Sequence, residues 1–143
     1  MEDVTRKLLE ECSEGCRMAV GSINQVFPHV SDERLEQVMR GYKNKHEQIG
    51  KEADDLLKEE GVQGKAPGAA ATAFSWITTE VKMKMNDDNS KISQLMMNGC
   101  NMGIQSISGA MHQYESASDE SMKLARKLVS TEEAFMKELK EFL

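Results

Sequence analysis

A ten-residue run recurs in this chain. GCRMAVGSIN at 15–24 returns as GCNMGIQSIS at 99–108, and each copy is followed by a short break and a helix-opening triplet, Ser31-Asp32-Glu33 in the first half and Ser118-Asp119-Glu120 in the second. A helix, a break and a second helix make a hairpin, so the duplicated unit is a helical hairpin. Two of them predict a four-helix bundle in which equivalent positions of the repeat surround one core.

The rest of the composition agrees with an all-α fold. Eleven methionines stand beside four phenylalanines, two tyrosines, one tryptophan and two prolines in 143 residues, which suits helices packed through flexible aliphatic side chains better than a sheet. A chain of this length can bury a core without disulfides or a structural metal. The formal charge of −6, with no Lys/Arg cluster above the interspersed acids, speaks against a nucleic-acid partner. No run of eighteen apolar residues and no basic, apolar leader occurs, so neither a membrane partner nor a signal peptide is expected and a cytoplasmic location follows. Cys12 and Cys16 lie four apart on one helix, about 5–6 Å between β-carbons, too far for a disulfide. With Cys100 they make three, an odd number that suits a reducing compartment.

Periodicity places the helices. The first runs from about Thr5 to Phe27 on Val4, Leu8, Cys12, Cys16, Ala19, Ile23 and Val26, and Pro28 ends it. Ser31 is the expected cap of the second, whose stripe is Leu35, Val38, Tyr42, His46, Ile49, Ala53 and Leu56, with Gly61 as its stop. The third is expected from about Ser90 to Tyr114 through Ile92, Leu95, Met96, Cys100, Gly103, Ile107 and Met111. The fourth follows Ser118 with Met122, Ala125, Leu128, Val129, Glu132, Phe135, Met136, Leu139 and Phe142. The single domain therefore divides into hairpin 1 at about 4–61, a connection at about 62–89 and hairpin 2 at about 90–143. A bundle helix of about 25 residues is roughly 38 Å long. A connection this long, helical in its second half through Phe74, Ile77, Val81 and Met85, can return the chain to the other end of the bundle. Phe74 and Trp76 suit either packing onto the bundle or a homodimer contact.

A duplicated hairpin with a long crossover resembles the ferritin-like superfamily. The likeness is nearest to small bacterial four-helix-bundle proteins of unknown function related to rubrerythrin-type bundles, on the opening helix with its Cys-x-x-Gly run, Cys12-Ser13-Glu14-Gly15, and the repeated pair. The resemblance implies a diiron site with glutamates on the first and third helices and Glu-x-x-His on the second and fourth. This chain departs from that pattern. Cys16 and Cys100 stand where the first two glutamates belong, His46 stands at the second-helix glutamate position with Ile49 three residues on, and Glu132-x-x-Phe135 or Glu133-x-x-Met136 lacks the histidine. A diiron oxidase is not expected.

What remains is a candidate site at mid-bundle: Cys16, His46, Cys100 and one of Glu132 or Glu133. Two thiolates, an imidazole and a carboxylate suit zinc or ferrous iron, giving a metal-binding or thiol-redox protein. The other reading needs no cofactor: the cysteines pack as small hydrophobes and His46 pairs with the fourth-helix glutamate. The apolar stripe selects Glu132, whereas the offset of 87 between Ser31 and Ser118 selects Glu133. Met18 and Met102 match in the repeat and read as filler, and no phosphate loop, zinc-protease motif or Ser-His-Asp set is present. The expectation is a non-catalytic ferritin-like bundle.

Overall fold

The computed structural model describes residues 2–61 and 88–143. Four long helices account for most of them: α1 (Asp3–Val26), α2 (Glu33–Glu59), α3 (Asn89–Gln113) and α4 (Asp119–Leu139). Short 3-10 turns follow the first and last, at Phe27–His29 and Lys140–Phe142, and no strand occurs among the described residues. The expected connection, with Phe74 and Trp76, lies outside them.

The helix ends show why the elements begin where they do. Ser118 caps α4 as expected, its side chain accepting from the Ser121 amide. Ser31 does not cap α2. Asp32 does, accepting from the Arg34 and Leu35 amides, because a carboxylate can satisfy two of the free N–H groups of a first turn and also meets the positive end of the helix dipole. Ser31 is engaged elsewhere: its amide donates to Asn89 Oδ1 at 3.1 Å and its hydroxyl accepts from Asn89 Nδ2 at 3.0 Å. Asp88 caps α3, which therefore opens at Asn89. Gly61 stops α2 with φ of 77°, a left-handed conformation that costs glycine nothing.

Two hydrogen-bonded ties set the hairpins against each other. At one end the Ser31 and Asp32 amides both donate to Asn89 Oδ1, so α2 and α3 start together. At the other, the Ser118 amide donates to Thr5 Oγ1 at 2.9 Å, so α1 and α4 start together. Since each hairpin is antiparallel within itself, α1 also runs antiparallel to α3.

The core is in two parts. Leu8, Leu9, Cys12, Cys16, Ile49, Ala53, Leu57, Ile107, Leu124, Ala125 and Leu128 fill the half nearest the start of α1. Ile23, Val26, Leu35, Met39, Tyr42, Ile92, Met96, Cys100, Phe135 and Leu139 fill the other. Each fully buried leucine or isoleucine contributes about 1.5–3 kcal/mol. Between the two parts, on α2 between Tyr42 and Ile49 and on α4 between Leu128 and Phe135, come His46 and Glu132, both buried. The described residues form a four-helix, all-α structure with a polar layer at its waist.

Candidate functional site

His46 projects from the middle of α2 because it continues that helix's apolar stripe, one turn after Tyr42 and three residues before Ile49. It is fully buried, and both ring nitrogens are engaged. Nδ1 lies 2.7 Å from the Tyr42 carbonyl oxygen, and Nε2 pairs with Glu132 Oε1. A carbonyl only accepts, so Nδ1 carries a proton and donates. A single further proton then lies between Nε2 and Oε1. Whether it is written as imidazolium and carboxylate or as imidazole and carboxylic acid, the pair is neutral overall, which is what permits its burial.

Glu132 reaches the layer from α4, where Leu128, Phe135 and Leu139 mark the buried face. The Phe135 ring stacks on Tyr42 at 4.6 Å between centroids, nearly parallel, and lies tilted to the His46 ring at 6.5 Å. This aromatic step locks α2 and α4 one turn from the pair. Glu133 points to solvent, so of the two glutamates only Glu132 enters the core.

The cysteines come to the same level from the other two helices. Cys16 is packed against α2 at Gly50, where a β-carbon would stand 3.1 Å from its own. Cys100 lies beside Glu132. All three cysteines are unbridged and buried. Burial pushes each thiol above its ordinary value of 9.0, Cys12 to about 12, and for Cys16 and Cys100 the negative charge at Glu132 adds to the effect. Such groups are protonated at neutral pH, so none stands ready as a thiolate nucleophile. Among the described residues no group of three or more His, Cys, Asp or Glu is arranged to hold a metal ion, and no helix is long and apolar enough to cross a membrane.

Of the five expected residues, His46 and Glu132 are paired, Cys100 lies beside Glu132, Cys16 packs against Gly50 and Glu133 is exposed. Two features escaped the sequence reading. One is the backbone anchor of His46 at Tyr42, for which the four-residue spacing was the available signal. The other is a cavity of about 260 Å³ between α1 and α3 that reaches Glu132. Its signal was the repeat itself, since Gly15 and Gly99, and Met18 and Met102, all line it.

Comparison with protein-family models, with characterised proteins and with solved structures gives no match.

Proposed function

We propose that this chain is a non-catalytic helical bundle of ferritin-like descent, in which a metal-free polar pair replaces the ancestral metal centre. The observation that carries the reading is the double engagement of His46. With Nδ1 donating to Tyr42 and Nε2 paired to Glu132, both ring nitrogens are satisfied without a metal ion.

The ferritin-like part of the proposal draws on the direction of the helices. The end of α2, at Leu56, Glu59 and Glu60, lies beside Glu2 and Thr5 at the start of α1, and α3 starts beside the start of α2. A crossover spanning the bundle, and a twofold relation between the hairpins that exchanges Cys16 with Cys100, accommodate that arrangement. A homodimer is compatible with it, and neither nucleic acid nor membrane is proposed as a partner.

Elemental analysis of protein purified without chelator tests the reading. Substoichiometric zinc and iron, with unfolding unchanged by a chelator, is the expected result. One equivalent of either metal, lost in His46→Leu, would overturn it.

A further inference from the structure

Three glycines, Gly15, Gly99 and Gly103, line the cavity between α1 and α3 and leave room where side chains would otherwise stand. It reaches inward to Glu132 and Cys100, and the half-exposed Met102 stands at its opening. At about 260 Å³ it is far larger than one ion or one water needs, and larger than the roughly 150 Å³ that accepts benzene in an engineered core. A cavity of this size and lining suits a small organic molecule.

The inner end is polar in one direction only. Glu132 Oε1 is committed to His46. Oε2 is the oxygen nearest Gly103, 3.2 Å from where a β-carbon there would lie, so it faces the cavity side. Cys100 also lines the cavity near Glu132, and S–H is only a weak donor. A carboxyl oxygen has lone pairs for more than one donor, and an O–H or N–H brought to Oε2 would make the stronger bond. Charge selects further. Glu11 and Glu14 also line the cavity, so an anionic ligand is excluded, and at the inner end, where the His46–Glu132 pair shares one proton and is neutral, a neutral donor leaves no net buried charge.

We propose that this cavity is a binding site for a neutral, mainly apolar molecule of one or two rings that carries a single O–H or N–H donor to Glu132 Oε2. The proposal rests on the metal-free state of the pair, because a metal at Glu132 would compete for the same oxygen.

Indole and 1-methylindole are the probes, alike in shape and differing in one donor. Binding is followed by amide chemical shifts of the whole protein, with metal content measured on the same sample. Indole should bind saturably, shifting Gly99 and Gly103, and N-methylation should weaken binding about tenfold, the effect of a charge-assisted hydrogen bond. Ala19→Leu, which fills the cavity from α1, should abolish binding. Ser106→Leu, at an exposed position on the opposite wall, should do so independently if the first variant folds poorly. No saturable binding of indole by a metal-free sample, equal affinity for the two probes, or binding that survives both substitutions would each overturn the site. Indole binding by protein that carries stoichiometric zinc or iron would instead overturn the metal-free reading and leave the cavity as a binding site.

Discussion

His46 and Glu132 stand at the same depth in their helices: they are 86 residues apart, as are Asp32 and Ser118, the residues that cap α2 and α4. The two partners of the buried pair therefore occupy equivalent places in the two hairpins, and each is what the other relies on for burial.

That dependence gives the first prediction. His46→Leu leaves the Glu132 carboxyl without its partner in the core and should cost about 3–5 kcal/mol in urea unfolding. Glu132→Leu should cost a similar amount, leaving Nε2 unpaired. The double variant should recover most of the loss, since an apolar pair of similar volume is often neutral in place of a buried polar one. Additive losses in the double variant would mean that the two residues do not act as a pair.

Glycine substitutions separate the close approach at Glu132 from ordinary helix propensity. A β-carbon at Gly109 meets nothing within 4 Å, so Gly109→Ala should stabilise by about 0.5–1 kcal/mol. At Gly103 the new methyl would press on a carboxyl held by His46, at 3.2 Å from Oε2. The same substitution there should gain nothing and is expected to destabilise. Equal gains at both positions would show that Glu132 yields freely.

The thiols set the alkaline limit. Raising Cys12 from 9.0 to about 12 favours the protonated form in the folded state, so its contribution is intact below pH 9 and is lost as the pH rises from 9 towards 12. The loss is up to about 1.4 kcal/mol per pH unit for each such thiol. Cys16 and Cys100 shift in the same direction. Urea midpoints should fall steeply above pH 9, and Cys12→Ala should flatten the fall. At pH 8 a thiol reagent should modify the three cysteines slowly in native protein and rapidly after denaturation, and fast labelling of the native form would place them at the surface.

Capping distinguishes Asp32 from its neighbour. Asp32→Ala removes the acceptor for two first-turn amides and should cost about 1 kcal/mol. Ser31→Ala leaves the Asn89 Oδ1 contacts to both backbone amides in place and should cost less than half as much. Thermal unfolding of the two variants, compared at equal ionic strength, decides between them.

The assignment of that one cap explains what sequence alone could and could not supply about the site. The four apolar stripes follow from a 3.6-residue period, and they placed Leu8, Leu35, Ile49, Ile92, Leu128 and Leu139 in the core, where they are. Glu132 was visible as a member of such a stripe. The competing choice, Glu133, came from aligning Ser31 with Ser118, and that alignment is one residue off because Asp32 is the true cap. A serine and an aspartate side by side are both good caps, and Asn89, distant in sequence, is what takes Ser31 away. The cavity was less accessible for a related reason: glycines in a helix record no direction, and only the approach of α1 to α3 turns their missing side chains into a space.

The polar layer also bears on how the chain finds one arrangement among several that its greasy stripes would tolerate. If α2 slid along α4 by a single turn, leucines would still meet leucines, but the imidazole would face Leu128 or Phe135 and two polar groups would be stranded in a dry interior. Penalties of several kcal/mol attach to such mispairing, a large share of the stability of a domain this size. The waist of the bundle thus acts as a key cut for one lock, discriminating between alignments that hydrophobic contact alone would leave nearly degenerate.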